Sequence, residues 1–107
     1  MHYYDAVNKI QQILKTDNTW ANLIYSAKQN GRVLDPSLEI LKTAIRGELN
    51  LMKNQEFEEI WEECESEYMA KSGKKTSDIN LREKREVVAN RIEWDLEEGI
   101  YDQGGIS

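Results

Sequence analysis

The chain has 107 residues, of which 39% are hydrophobic and 32% are charged, and its formal net charge at pH 7 is −6. This composition is typical of one globular domain and excludes a disordered or fibrous chain. The surplus of carboxylates argues against nonspecific binding to nucleic acid or to an anionic membrane, because attraction to phosphate requires an excess of Lys and Arg.

Cys64 is the single cysteine, so no disulfide can form within the chain. A lone cysteine is typical of a reducing compartment. No apolar run approaches the roughly 18 residues that a transmembrane helix requires. The first five residues lack the basic and apolar regions of a signal peptide. We therefore expect a cytoplasmic protein that does not associate with a membrane.

Apolar residues recur at helical spacing along most of the chain, and the alternation that is typical of strands is absent. The first predicted helix covers residues 3–15, and the second covers residues 19–30. Asp17 and Asn18 separate the two helices and offer an N-terminal cap for the second. Gly31 suits the left-handed conformation that commonly ends a helix.

Asp35 and Pro36 predict the start of a third helix, because aspartate caps a helix and proline fits its first turn. The apolar stripe of this helix runs to Met52. Near Lys53 the stripe shifts by about 90° around the axis, at about 100° per residue. The shift predicts either a kink or a new helix, and we place this fourth helical segment at residues 55–71.

The fifth predicted helix covers residues 78–98 and follows a polar turn at residues 72–75. We expect Gly99 to end this helix and residues 100–107 to form a flexible C-terminal tail. Short connections favour antiparallel neighbours in helical proteins. The predicted fold is therefore all-α, a compact antiparallel bundle of four to five helices with a short irregular tail, and residues 1–99 form its single domain.

The fourth predicted helix carries seven glutamates and no basic residue between Glu56 and Glu67. One interpretation is that these carboxylates form ordinary ion pairs across an antiparallel contact with the fifth helix. Counting outward from the polar turn places Glu63 and Glu67 opposite Lys84 and Arg85. Exposed pairs of this kind are worth about 0–1 kcal/mol each, so they would select the register more than they stabilise the fold.

The other interpretation of these glutamates is a docking surface for a basic protein. Several of them share one edge of the helix, and like charges at i, i+4 repel each other, which concentrates negative potential there. The residues of this predicted surface are Glu58, Glu59, Glu62 and Glu65. A row of carboxylates can imitate phosphates, as in small acidic inhibitors carried by phages and plasmids. The predicted partner therefore has a basic surface, such as one that binds nucleic acid.

The fifth predicted helix has a second apolar line, which consists of Val87, Trp94 and Tyr101 at intervals of seven residues. It lies off the main stripe of the helix. Either this helix is central and packs on two sides, or the line is an exposed contact seam for a partner or for a homodimer. Aromatic side chains are typical anchors of interfaces, so Trp94 and Tyr101 complete the predicted partner-binding residues.

Residues 58–62 read E-E-x-x-E, which resembles the first half of the metal motif of the MazG-type nucleotide pyrophosphohydrolases. Those enzymes are all-helical, and the resemblance implies magnesium-dependent nucleotide hydrolysis as an alternative function. The second half of the motif, E-x-x-D on a following helix, is missing, since Glu93 and Asp95 have the wrong spacing.

A DNA-binding regulator is a further alternative. Residues 19–51 have the arrangement of a helix-turn-helix, with Lys42 and Arg46 on the second helix. Glu39 and Glu48 flank these two cations, however, and this half of the chain is barely basic.

We predict no catalytic residue, no cofactor and no metal site. His2 is the only histidine and lies at the terminus, which excludes Cys–His and Ser–His catalysis and zinc sites that contain histidine. Cys64 is in phase with the apolar stripe of its helix and is predicted to be a buried, inert thiol. The favoured prediction is a small acidic, non-enzymatic protein-binding module that acts as an inhibitor or adaptor and makes no direct contact with nucleic acid.

Overall fold

The computed structural model describes residues 2–105, in which it places five α-helices, one short 3₁₀ helix and no strand. The helices are α1 (Tyr3–Thr16), α2 (Thr19–Asn30), α3 (Asp35–Leu51), α4 (Asn54–Ser72) and α5 (Leu81–Gly104), with the 3₁₀ helix at Thr76–Asp78. The predicted all-α bundle is confirmed. None of these helices is both long enough and apolar enough to cross a membrane.

Local signals set most of the helix boundaries. Gly31 and Gly73 adopt left-handed backbone conformations with φ of 74° and 72°, and each directly follows the last residue of a helix. Glycine has no Cβ to clash in this conformation, so it ends a helix at little cost. The third and fourth helical segments are separate helices, because Met52 and Lys53 are both extended and interrupt the helical hydrogen bonding.

A single hydrophobic core joins the helices, and α5 lies at its centre in contact with each of the other four α-helices. No polar or charged residue is buried in this core among the described residues. The largest fully buried side chains are Tyr3, Ile10, Leu41, Ile45, Leu49, Ile60, Trp61, Cys64, Val88, Ile92, Leu96 and Ile100. They come from α1, α3, α4 and α5, and Trp20, Leu23 and Ala27 add the buried face of α2.

The predicted end of the last helix at Gly99 is wrong. The helix continues to Gly104, and Gly105, with φ of 64°, caps it. Glycine inside a helix costs only about 1 kcal/mol, and the following turn recovers more than this cost because Ile100 is fully buried. The expected tail of residues 100–107 is therefore helical as far as Gly104, and residues 106 and 107 lie outside the described residues.

Two hydrogen bonds hold this last turn against the rest of the bundle. Trp20 Nε1 donates to Gln103 Oε1 at 2.8 Å, and the Val33 amide donates to the Tyr101 hydroxyl at 3.1 Å. Both bonds join α5 to parts of the chain that lie more than 60 residues earlier in the sequence. The last turn is thus part of the domain.

Candidate protein-binding surfaces

Helix α4 turns its apolar face inward and its glutamates outward. Phe57, Ile60, Trp61 and Cys64 are buried, in contact with the core that α1 and α5 share. The periodicity of the helix therefore directs the intervening carboxylates toward solvent. Of the four glutamates in the predicted docking surface, Glu58, Glu59 and Glu62 are exposed and Glu65 is half-buried.

The ion pairs between α4 and α5 do not follow the predicted register. Lys84 Nζ lies 3.6 Å from Glu58, and Arg91 lies 3.6 Å from Glu67. These partners come in the same order along both helices, whereas counting back from a tight turn requires the opposite order. The connection is not a tight turn, because residues 73–80 contain the 3₁₀ helix and bury Ile79.

Glu63 serves the bundle itself. One of its carboxylate oxygens accepts a hydrogen bond from the Tyr3 amide at 2.6 Å. Tyr3 is the first residue of α1, and the amides of a first helical turn have no acceptor within their own helix. A carboxylate at this end also interacts favourably with the helix dipole. Glu63 therefore fastens α1 to α4.

The negative charge of α4 is only partly compensated by cations of the bundle. Glu58 pairs with Lys84, and Glu67 pairs with Lys71 and Arg91. Glu62 is exposed and makes no ion pair within residues 2–105. The Glu58–Lys84 pair is partly exposed, so it is worth at most about 1 kcal/mol, and a partner can compete for this carboxylate.

Helix α5 is central and packs on several sides, as the first interpretation of its second apolar line expects, but Trp94 on that line is exposed. Its side chain is 66% exposed, whereas those of Trp20 and Trp61 are 3% and 1% exposed. The indole Nε1 donates to Glu98 Oε1 at 2.6 Å, one turn further along the same helix. Trp94 is therefore on the surface, with its ring oriented by its own helix.

Trp94 lies on the wall of a groove of about 510 Å³ between α4 and α5. The groove is lined by Cys64, Glu67, Tyr68 and Lys71 of α4 and by Val87, Asn90, Arg91, Trp94 and Asp95 of α5. Tyr68 and Val87 are half-buried and pack against the core, which gives the groove an apolar side. Polar groups border this apolar surface on both helices.

A network of polar side chains stiffens this groove. The buried Tyr3 hydroxyl donates to Asp95 Oδ2 at 2.5 Å, and the Arg91 guanidinium lies 4.7 Å from the centre of the Tyr3 ring. Burial, followed by the bond to Asp95, raises the pKa of Tyr3 far above its usual range. The network ties α1 to α5 directly beside the groove.

The single cysteine of the groove, Cys64, is buried in surroundings that disfavour its thiolate form. Burial raises the pKa of the Cys64 thiol, and this effect outweighs the opposing influence of Arg91. A reactive cysteine requires the thiolate form at neutral pH. The thiol of Cys64 instead contributes a small apolar surface to the packing of α4.

The structure separates the six predicted partner-binding residues into three places. None of the four glutamates lines the groove that holds Trp94. Tyr101 is half-buried, packs against the core and accepts the hydrogen bond from Val33. Val87 is half-buried within the groove, so the predicted homodimer line of Val87, Trp94 and Tyr101 is not one continuous exposed seam.

Sequence reasoning did not identify Arg91 and Tyr68 as neighbours of Trp94. Arg91 had a signal, because Val87, Arg91 and Trp94 are spaced i, i+4 and i+7 and so share one face of a helix. Tyr68 had none, since its position beside α5 depends on how the two helices cross.

Two observations bear on the alternative functions, which are magnesium-dependent nucleotide hydrolysis and DNA binding by a helix-turn-helix. Among residues 2–105 no three His, Cys, Asp or Glu side chains lie close enough together to hold a metal ion. Arg46, on the second helix of the expected helix-turn-helix, donates two hydrogen bonds to Glu86 of α5. Comparisons of the chain with protein-family models, with curated proteins and with solved structures give no match, so the function has to be inferred from these surfaces.

Proposed function

We propose that this protein is a non-enzymatic protein-binding module, an inhibitor or adaptor, that receives a partner in the groove between α4 and α5. The partner presents an apolar side chain to Trp94 and basic side chains to the surrounding carboxylates. The observation that carries the proposal is the exposed indole of Trp94 on the wall of a groove with an apolar side.

The size of the indole makes its burial by a partner energetically favourable. Full burial of a large apolar side chain is worth about 1.5–3 kcal/mol, and tryptophan is among the residues most enriched at binding hot spots. Because Trp94 is mostly exposed in the isolated chain, most of this free energy would be gained only when a partner buries it. The hydrogen bond to Glu98 holds the ring in one orientation, so less conformational freedom is lost when a partner covers it.

The charge distribution indicates the chemistry of the partner. Residues 54–70 contain seven glutamates and no Lys or Arg. Residues 92–105 contain Glu93, Asp95, Glu97, Glu98 and Asp102 and no Lys or Arg. These two acidic segments belong to the two helices that form the groove, and they surround a lining in which Lys71 and Arg91 balance Glu67 and Asp95. Complementary charges raise the association rate and suppress wrong partners, so a basic partner is favoured.

Replacement of Trp94 by Ala is expected to weaken capture of the partner at least tenfold while leaving helicity unchanged, a loss of about 1.4 kcal/mol or more. Tyr25→Ala provides the matched control, because Tyr25 is also 66% exposed but lies on α2. Partners are isolated with wild-type bait, identified by mass spectrometry and purified. Their dissociation constants are then measured for the three proteins, whose helicity is compared by circular dichroism.

We expect the Tyr25 variant to bind within about twofold of wild type. Equal affinity of all three proteins for every purified partner would remove Trp94 from the interface and contradict the proposal. Loss of affinity in both variants would show that the effect is not specific to the groove.

Neutralising the acidic edge of α4 is expected to slow association more than it speeds dissociation. The variant combines Glu58→Gln, Glu62→Gln and Glu65→Gln, and we expect its association rate at low salt to fall about tenfold. The difference should shrink at high salt, because exposed charges are screened. Stopped-flow or surface plasmon resonance measurements at several salt concentrations provide the rates.

The control for this experiment removes three negative charges elsewhere. It combines Asp35→Asn, Glu39→Gln and Asp78→Asn, all at exposed positions outside α4 and outside residues 92–105. An equal loss of rate in the two triple variants would mean that net charge alone steers the partner, without a role for the α4 edge.

A further inference from the structure

We propose that a second groove, between α3 and the first turns of α5, binds a phosphate-bearing ligand. The groove has a volume of about 400 Å³, and three arginines line it, namely Arg46, Arg82 and Arg85. Glu86 is the single acidic residue of its lining, so the side chains around the groove carry a net charge of +2. This concentration of positive charge stands out in a chain whose net charge is −6.

Arg46 is held within the bundle. Its Nε and Nη2 donate to the two carboxylate oxygens of Glu86 at 3.0 and 2.7 Å. These hydrogen bonds from the guanidinium to the carboxylate raise the pKa of Arg46 above its usual value. The bidentate pair fixes one guanidinium at the wall of the groove and uses the single carboxylate available there.

Arg82 and Arg85 have no such partner. Neither lies within ion-pair distance of a carboxylate in residues 2–105, although the charge of Arg82 helps to lower the pKa of Glu86. Two cations at i, i+3 on a helix repel each other, and an anion between them in the groove would relieve this repulsion.

The position on α5 favours an anion in the same way. Arg82 is the second residue of the helix. The first turn of a helix carries partial positive charge from amides that have no acceptor within the helix. The arginine side chains and the helix dipole therefore act on one region.

A phosphate fits this arrangement better than a carboxylate does. A guanidinium binds a phosphate with two parallel hydrogen bonds, and the tetrahedral group has enough oxygens for two arginines at once. Leu81, which is 40% exposed, supplies an apolar wall beside the arginines, whereas Leu49 beneath it is buried. The wall suits a phosphate ester with an apolar or aromatic organic part, and the groove is large enough for a small one.

This site is independent of the groove that holds Trp94, because the two grooves share no lining residue. An experiment that contradicts the proposal for one groove therefore leaves the proposal for the other groove unaffected.

The test titrates the protein with inorganic phosphate and with phenyl phosphate, in a background of sodium chloride at constant ionic strength, and follows amide chemical shifts by NMR. We expect shifts concentrated around residues 81–86, and at least fivefold tighter binding of phenyl phosphate. The variant with Arg82→Gln and Arg85→Gln should bind both probes at least tenfold more weakly. The control with Lys28→Gln and Lys75→Gln loses the same two charges at exposed positions outside the groove and should bind as wild type.

Circular dichroism establishes that both double variants keep the wild-type helicity, and a single Arg85→Lys variant serves as a milder change if the Gln pair fails to fold. The proposal is overturned if the arginine variant binds as wild type, or if the lysine control loses as much affinity. It is equally overturned if an acidic peptide without phosphate competes as well as phenyl phosphate does, or if neither probe causes shifts at 10 mM, roughly the upper limit for a specific weak site.

Discussion

Truncation of the chain after Gly99 is expected to lower the free energy of unfolding by at least about 3 kcal/mol. Ile100 is fully buried, and loss of a buried isoleucine side chain alone costs about 2–5 kcal/mol. The truncation also removes two hydrogen-bond acceptors, Gln103 for the Trp20 indole and the Tyr101 hydroxyl for the Val33 amide. A small domain has a total stability of only about 5–15 kcal/mol, so the shortened chain should be marginally folded or unfolded at 37 °C.

Point variants divide this effect into its parts. Ile100→Ala should cost about 2–5 kcal/mol, and Gln103→Ala about 1–3 kcal/mol because it leaves the Trp20 indole N–H without its acceptor. Asp102→Ala is the control on the same turn, since Asp102 is exposed, and should change stability by less than about 0.5 kcal/mol. Urea denaturation followed by circular dichroism measures each value. A truncated chain as stable as the full one would show that the last turn of α5 does not support the core.

Tyr3→Phe is expected to lower stability at pH 7 by about 1–3 kcal/mol, because it removes the hydroxyl that donates a partly buried hydrogen bond to Asp95. The variant keeps the aromatic ring, so the contact with the Arg91 guanidinium is retained. Asp95→Asn should cost less than Tyr3→Phe, since the amide oxygen of asparagine can still accept the hydroxyl proton. A double variant of Tyr3→Phe with Asp95→Asn should lose less than the sum of the two, because the residues share one bond.

The same bond predicts how stability depends on alkaline pH. The pKa of Tyr3 is raised in the folded state, while that of an unfolded tyrosine is about 10. Below pH 10 the hydroxyl is protonated in both states, and its contribution to stability is intact. Above pH 10 the unfolded chain releases the proton and the folded chain keeps it, so stability should fall by about 1.4 kcal/mol per pH unit from this group.

Urea midpoints measured from pH 8 to pH 11.5 test this slope. The Tyr3→Phe variant should lose stability less steeply above pH 10 than wild type does. Tyr25→Phe is the matched control, because Tyr25 is exposed and should leave the slope unchanged. Identical slopes in wild type and in the Tyr3→Phe variant would contradict the coupling between this hydroxyl and the fold.

Local sequence signals located the five helices but not all of their ends. The predicted second helix has the observed boundaries Thr19–Asn30, and α3 begins at the Asp35–Pro36 pair. Proline at a first turn and a left-handed glycine act over a few neighbouring residues, so they operate before any tertiary contact forms. The expected side-chain caps at the N-cap positions of α2 and α3 are not formed. The buried face of α4 was also predictable, because apolar periodicity fixes which side of a helix leaves water.

Gly99 shows why the end of α5 was not predictable. Read alone, this glycine ends a helix, but Trp20 packs its ring beside Gly99 and reaches Gln103 from 83 residues away. Burial of Ile100 then exceeds the local cost of glycine. The sequence contains each of these residues without indicating that they meet.

The amino-acid order alone thus specified the helices, their buried faces and the concentration of carboxylates on α4. The packing of the bundle was needed to show that Trp94 is exposed while Tyr101 is bound to Val33, and that Lys84 lies opposite Glu58. It also brought Arg46 beside Arg82 and Arg85. The physical reason is that helix propensity and periodicity are local properties of the chain. The crossing of two helices depends instead on how all five apolar faces pack at once, and every distant pair of side chains follows from that packing.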